Sequence, residues 1–126
     1  YVETTNERLR RYLEAEGVGV KSFGSFDMLD MFDHARFQPG DVYRKVRDCA
    51  SDDADAVFIA CTQVRALEVV DVLERDLGKP VYTANQCSFW KAFETLGVTP
   101  DVEGVGGALM RSLRGGASAS PARKIA

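Results

Sequence analysis

The chain has 126 residues, of which 45% are hydrophobic and 28% charged, and its formal net charge is −3. These values are typical of one soluble globular domain, or of one lobe of a larger protein. They exclude a basic nucleic-acid-binding surface, and no apolar run approaches the roughly 18 residues needed to cross a bilayer. We therefore expect neither nucleic acid nor a membrane as a partner.

The cysteine and histidine content argues against a metal centre and against a disulfide framework. Cys49, Cys61 and Cys87 lie far apart without a CxxC pair, and the chain has one histidine. With no recognisable export leader, the simplest interpretation is three reduced thiols. We expect a cytoplasmic protein that uses neither a metal nor an organic cofactor.

The first half of the chain is predicted to contain two helices with a strand between them. Thr4–Glu7 has the S/T-x-x-E form of a capping box, and Gly17 ends the helix that follows. Residues 18–23 predict a short strand, and residues 24–38 an irregular loop with at most one helical turn. Pro39 suits the first position of a second helix.

The second half alternates strands and helices. Residues 54–60 form a continuous apolar run, which is typical of a parallel strand covered on both faces. The apolar stripe over 64–77 predicts a helix and residues 80–83 a strand. Another helix is predicted to start at Cys87 and to end at Gly97. A short helix over 108–113 completes the series.

This alternation predicts an α/β fold with a parallel sheet and right-handed crossovers. Three predicted strands would leave two long edges and little buried core. We therefore expect a further strand ahead of the first helix. Residues 115–126 are a low-complexity tail that we expect to be disordered.

The ends of two predicted strands carry the polar residues that favour chemistry. Cys61-Thr62-Gln63 follows one strand, and Thr83-Ala84-Asn85-Gln86 follows the next. Ligands bind at the carboxyl ends of parallel strands, and a helix that follows directly would point free N–H groups at a carboxylate or an enolate-like oxyanion. A thiol at a helix N-terminus has a lowered pKa. The alternative is that Cys61 is a small buried hydrophobe.

The stretch "DADAVFIACTQVRALEVVDVLERDLGKPVYTANQCSFWKAF" resembles the second lobe of the aspartate/glutamate racemase superfamily. It is most similar to the branch of maleate cis–trans isomerase and arylmalonate decarboxylase, which has a C-T/G-x-x-R turn, G-K-P-V, and an N-Q turn before a tryptophan. "YVETTNERLRRYLEAEGVGV" resembles the same branch, where a tyrosine leads into a helix. The resemblance covers residues 1–98.

The resemblance implies an enzyme of two similar lobes, each with a four-stranded parallel sheet, and an active site in the cleft between them. Residues 1–114 would then be most of the second lobe without its first strand. This is a partial flavodoxin-like parallel sheet with helices on both faces. The first lobe would be the missing partner, and we expect the parent enzyme to be a homo-oligomer.

The same resemblance implies roles for four residues. Cys61 matches the thiol that donates or accepts a proton at the carbon beside a carboxylate. Thr62 and Tyr1 match residues that hold this carboxylate, and Asn85 lies at the neighbouring strand end. Met31 stands where isomerases carry a carboxylate-binding asparagine, and methionine cannot donate a hydrogen bond, which argues against maleate as the substrate.

Together these features predict a cofactor-independent isomerase or decarboxylase that acts on a small dicarboxylate through an enediolate-like intermediate. Two alternatives remain: an amino-acid racemase of the same superfamily, or a non-catalytic fragment that binds dicarboxylates. Among weaker candidates, Cys87 could be a second thiol in the cleft, while Cys49 is interpreted as core and Arg65 as a solvated side chain. The stripe over 89–93 is predicted to pack on the sheet.

Overall fold

The computed structural model describes residues 1–28, 30, 32–101 and 104–115. The helices and strands within these residues are α1 (Glu3–Ala15), α2 (Pro39–Cys49), β1 (Val57–Ile59), α3 (Val70–Leu77), β2 (Val81–Thr83), α4 (Ala84–Leu96) and α5 (Gly107–Gly115). Two 3₁₀ helices span Asp33–Arg36 and Leu67–Val69. No helix in this part of the chain is long and apolar enough to span a bilayer.

The sheet of the described chain consists of β1 and β2, which pair in parallel. Val57 lies opposite Val81 and Ile59 opposite Thr83. The connection between the strands contains α3, as expected for parallel neighbours, which cannot be joined by a tight hairpin. The predicted α/β class with parallel strands is therefore confirmed, although the strand predicted over 54–60 keeps only three residues.

The core lies where α2 and α3 pack beside the sheet. Its innermost side chains are aliphatic and almost fully buried: Val42, Val46, Val70, Leu73 and Val81. Burying each such side chain stabilises the fold by about 1.5–3 kcal/mol. This packing fixes the position of the two strand ends that carry the candidate site.

The strand predicted over 18–23 is wrong. Val18 N–H donates to the carbonyl of Leu13 and so closes the end of α1. Within the described residues, no backbone–backbone hydrogen bond involves residues 19–24. A strand requires a neighbouring strand with which to pair, and within the described residues this segment has none.

The helix predicted to start at Val64 is also wrong in its first turn. The chain turns through residues 62–66, forms the 3₁₀ helix Leu67–Val69, and enters α3 only at Val70. Arg65 forms an ion pair with Glu68 at 2.9 Å, so this i, i+3 contact is made although the residues are not in an α-helix. Cys61 is therefore not at a helix N-terminus.

The predicted helix boundaries have mixed outcomes. The N-cap of α1 is Val2, without a side-chain cap, so the capping box predicted at Thr4 is wrong. Pro39 is the first residue of α2, as predicted. Helix α5 extends two residues beyond its predicted end, to Gly115. The remainder of the predicted tail and Met31 lie outside the described residues.

The prediction that the aromatic stripe over 89–93 packs on the sheet is wrong for Phe89, whose exposure is 60%. Phe89 stacks against Phe93 with ring centroids 6.4 Å apart. Trp90 instead faces α5, because its Nε1–H donates to Ser112 Oγ at 2.9 Å. The reason is that α5 packs against α4 and takes the place of the sheet as the partner of this helix.

Candidate active site

The carboxyl ends of β1 and β2 bring two turns together. Cys61 follows β1 by two residues, and β2 passes directly into α4 at Ala84. The side-chain amide of Asn85 donates to the carbonyl of Thr62 at 2.9 Å, across 23 residues of sequence. The two turns therefore form one contiguous polar edge, where ligands bind in parallel α/β sheets.

Cys61 has a left-handed backbone conformation, with φ at +99°. This region is unfavourable for a residue with a Cβ, and such conformations cost about 1–3 kcal/mol each and cluster at functional sites. The side chain is partly buried and packs against the core. The surroundings of Cys61 therefore differ from the predicted helix N-terminus, because α3 starts nine residues later.

Tyr1 lies beside this thiol. Burial is the main cause that raises the pKa of the Tyr1 phenol from 10.0 to about 12, and a hydrogen bond with the Cys61 side chain adds to it. Near neutral pH the phenol therefore stays protonated and can donate a hydrogen bond. Asn6 Nδ2–H and Ser25 Oγ–H both donate to the carbonyl of Tyr1, at 3.0 and 2.7 Å, and so hold this residue in place.

The structure thus places all four predicted site residues at one edge, in two contacting pairs: Tyr1 with Cys61, and Thr62 with Asn85. Thr62 is exposed, so its hydroxyl can reach a ligand in solvent. Asn85 already uses one amide hydrogen on the Thr62 carbonyl. The geometry makes Asn85 a brace of the Cys61 turn, and contact between Asn85 and a substrate stays a prediction.

The other thiols have different surroundings. Burial raises the pKa of Cys49, and it also raises the pKa of Cys87. Cys49 packs closely on Gly24, where a Cβ would come within 2.6 Å of the sulfur. Across the residues that the structure describes, no cluster of three His, Cys, Asp or Glu side chains could hold a metal ion.

Sequence reasoning missed the structural roles of two residues that shape this edge. Lys79 Nζ donates to the carbonyls of Ser51, Asp52 and Ala54 at 2.8–3.1 Å, and so anchors the loop that leads into β1. Gln86 is 2% exposed and forms a capping box with Thr83. The T-x-x-Q spacing of that box was visible in the sequence. The lysine contacts were not, since they involve backbone carbonyls 25–28 residues away.

These observations define an α/β protein whose candidate site lies at the carboxyl end of a parallel strand pair. It combines a strained cysteine, a protonated phenol and a threonine turn. Residues 1–109 match the arylmalonate decarboxylase family. The chain belongs to this family, which confirms the branch inferred from the motifs.

Individual relatives give the same result. The chain is 27% identical over 107 residues to a maleate isomerase from Alcaligenes faecalis, a match that covers 84% of this chain and 42% of the relative. It is 30% identical over 105 residues to an arylmalonate decarboxylase from Bordetella bronchiseptica, which covers 77% of this chain and 41% of that protein. A crystal structure of arylmalonate decarboxylase superposes with a TM-score of 0.75 at 24% identity, over 89% of this chain and 50% of that chain. The chain thus spans about half the length of the proteins it matches.

Proposed function

We propose that residues 1–114 form the second lobe of a two-lobe, cofactor-independent isomerase or decarboxylase that acts on a small dicarboxylate. Cys61 is the group that moves the proton, and Tyr1, Thr62 and Asn85 contact or position the substrate. The observation that carries the proposal is the position of Cys61 in a strained turn just beyond the carboxyl end of β1, where it lines the same pocket as Tyr1. Membership of the arylmalonate decarboxylase family supports the reaction class.

The proposed decarboxylation uses few groups. The bond between the central carbon and one carboxyl group breaks, carbon dioxide leaves, and the electron pair stays as an enediolate on the remaining carboxylate. The Cys61 thiol gives its proton to that carbon, and the thiolate regains a proton from water. Because charge accumulates on the enediolate oxygens, donors fixed in advance, such as the Tyr1 phenol and the Thr62 hydroxyl, lower the barrier.

The isomerase and racemase alternatives need more than this chain provides. A racemase needs an acid and a base on opposite faces of the substrate carbon, so a second group would come from the other lobe. We expect residues 1–126 alone to be inactive in either case. A non-catalytic fragment would bind dicarboxylates and never convert them, even within the full-length protein.

The test uses the full-length polypeptide that carries residues 1–126. Phenylmalonate and maleate are supplied separately, and release of carbon dioxide or formation of fumarate is measured. Cys61→Ser should lower turnover by about 10²–10⁴-fold, the usual contribution of a proton-transfer group. Cys87→Ser is the matched control and should keep turnover. Near-normal activity of the Cys61 variant on every accepted substrate would refute the proposed role.

Binding is measured in the same variants with malonate as an inhibitor. Cys61→Ser should keep malonate binding, because the oxyanion donors remain. Thr62→Val should weaken it about tenfold, which equals roughly 1.4 kcal/mol. Binding of malonate without turnover of any substrate by the full-length protein would favour the non-catalytic alternative.

A further inference from the structure

The first turn of α5 is held against α3 by two carboxylates. Glu74 of α3 accepts hydrogen bonds from Ala108 N–H at 2.8 Å and from the Arg111 guanidinium at 3.1 Å, and its side chain is 10% exposed. Asp71 pairs with Arg111 at 2.6 Å. The first turn of a helix has backbone N–H groups without a partner inside the helix, and negative charge is favourable there. The carboxylates of α3 therefore fix the start of α5.

The turn that precedes α5 is fixed as closely. Gly107 has a φ of +59°, and a Cβ there would lie 2.5 Å from Val70 Cγ1 and 2.7 Å from the Glu74 carboxylate oxygens. Gly106 has a φ of +85°, and a Cβ there would lie 2.5 Å from Met110 Cγ. Only glycine adopts such a φ without strain and leaves room for these neighbours. The carbonyl of Gly106 therefore has a defined position.

The side-chain amide of Gln86 joins this turn to the start of α4. Its Nε2–H donates to the carbonyl of Gly106, and its Oε1 accepts from Thr83 N–H at 3.1 Å. Gln86 is 2% exposed, so both bonds are shielded from water. The oxygen completes the capping box that starts α4, while the NH2 group makes the contact outside it. One amide thus serves both the local cap and the link to α5.

The neighbouring residue on α4 reaches the Cys61 turn. Asn85 directly precedes Gln86, and its side-chain amide donates to the carbonyl of Thr62 at 2.9 Å. Thr62 follows Cys61, the residue with the strained backbone. A rotation of the first turn of α4 that separates Gln86 from its partner would also move Asn85, because the two residues share one stretch of backbone. The contacts therefore run without a break from α5 to the candidate site.

We propose that Gln86 is a positioning residue of the proposed reaction: its bond to Gly106 orients the first turn of α4, so that Asn85 holds the turn that carries Cys61. The capping box forms the start of α4, and the contact with Gly106 orients it. The effect on turnover rests on the proposed function. The family match ends at residue 109, whereas α5 extends to Gly115, so part of this anchor lies outside the match.

The two contacts of Gln86 have different chemical requirements. The cap needs an acceptor for Thr83 N–H, whereas the link to Gly106 needs a donor. Gln86→Glu separates them, because glutamate also completes a T-x-x-E capping box but an ionised carboxylate cannot donate to a carbonyl. This substitution therefore tests orientation with the cap retained.

The first measurement is the carbonyl ¹³C resonance of Thr62 in the full-length protein, followed between about pH 6 and pH 9. Asn85→Ala gives the resonance without the hydrogen bond to this carbonyl. Gln86→Glu should shift the resonance toward that value as the introduced carboxyl group ionises, since only its protonated form can donate. Ser112→Ala is the matched control: it removes the bond from Trp90 at 2.9 Å, which also joins α4 to α5, and should leave the resonance unchanged.

Turnover is the second measurement, and each variant is compared with the unsubstituted protein at the same pH. Gln86→Glu and Asn85→Ala should each lower kcat about tenfold, because a displacement of about 1 Å in a reacting geometry can cost about 10²-fold. The double variant should also lose about tenfold rather than about a hundredfold, since both substitutions release the same brace. Ser112→Ala should keep kcat within about twofold, because its bond lies away from this link.

Glu74→Gln is a second variant, and it alters the anchor of α5 without touching α4. It removes a carboxylate acceptor at the start of α5 and should shift the Thr62 resonance in the same direction. An unchanged Thr62 resonance in folded Gln86→Glu would overturn the proposal. If that variant does not fold, an unchanged resonance in Glu74→Gln overturns it.

A hundredfold loss of kcat in the double variant would also overturn the proposal, because it would show that Gln86 acts independently of Asn85. Turnover that does not depend on Cys61 would refute the proposed function instead. The Thr62 resonance would then still decide whether Gln86 positions this turn, since it is measured without substrate.

Discussion

The two strand-end turns at the candidate site occupy equivalent positions but are held in different ways. The turn after β2 is fixed locally: Thr83 and Gln86 cap each other and α4 begins at once. The turn after β1 has no such cap, and Cys61 adopts a φ of +99° ahead of a non-helical stretch. Its contacts are long-range, from Tyr1 on one side and Asn85 on the other.

This difference agrees with the proposed division of roles, in which the turn after β2 stabilises the site and the turn after β1 carries the reactive group. A turn capped by its own residues depends less on distant contacts, so it can carry Asn85 as a brace. A turn held by distant groups can keep a strained residue in place, and such residues are common where function requires a fixed geometry. Parallel substitutions in the two turns test this difference.

The first comparison is between Gln86→Met and Gln63→Met. Gln86 accepts a hydrogen bond from Thr83 N–H and donates one to the carbonyl of Gly106, all in buried surroundings. Methionine keeps the volume but leaves both groups unpaired, which should lower the free energy of unfolding by about 2–4 kcal/mol. Gln63 is exposed, so its substitution should cost less than about 0.5 kcal/mol. Urea unfolding measures both, and equal costs would show that the capped turn is not the stronger one.

The second comparison is the rate of alkylation of the three thiols by iodoacetamide at neutral pH. Burial raises the pKa of Cys49 and of Cys87, which lowers their reactive thiolate fraction. We expect Cys49 and Cys87 to react more slowly than Cys61 for this reason. Mass-spectrometric peptide mapping gives the three rates. Faster labelling of Cys87 would move the reactive thiol to the capped turn.

The third comparison is between Cys61→Gly and Cys61→Ala. Both remove the thiol, but only glycine adopts a positive φ without strain. The glycine variant should be more stable than the alanine variant by about 1 kcal/mol, even though glycine usually costs 0.5–1 kcal/mol relative to alanine within a helix or strand. Denaturant midpoints decide the order. A more stable alanine variant would mean that residue 61 is not held in the left-handed region.

The fourth prediction concerns the Tyr1 phenol, whose pKa is about 12 in the folded chain and 10.0 ordinarily. Between these values the unfolded chain releases a proton that the folded chain keeps, so the stability present below pH 10 should decrease as pH rises toward 12. Ultraviolet titration should show a component near pH 12 that Tyr1→Phe removes. Tyr43→Phe is the control and should keep it, although the hydrogen bond to Asp76 raises the pKa of Tyr43 too. Loss of the component in Tyr43→Phe alone would contradict the assignment.

Much of the fold could be predicted from sequence, because helices are specified by nearby residues. Pro39 starts α2, while Gly78 and Gly97 end α3 and α4 with the positive φ that glycine accepts readily. Residues 18–23 failed as a strand because pairing depends on a neighbouring strand, which the residues of the segment alone do not specify. The start of the helix after Cys61 was predicted too early. The apolar stripe shows that a helix is present, but it does not show at which residue the helix begins.

The site was predictable as a set of residues but not as a geometry. Cys61, Thr62 and Asn85 follow from their places at strand ends, and Tyr1 from the family resemblance. The positive φ of Cys61 has no signature in its residue type, and the bond from Asn85 to Thr62 spans 23 residues. The helix N-terminus expected beside Cys61 was a local inference, and the contacts that actually surround this thiol are long-range.

The contact between Trp90 and Ser112 has a spectroscopic consequence. Trp90 is the chain's one tryptophan, and its indole N–H is bonded to α5. Fluorescence excited at the indole therefore reports selectively on the junction of α4 and α5. Separation of α5 should alter the emission. Changes confined to the pocket between α1, α2 and β1, which Trp90 does not line, should leave it almost constant.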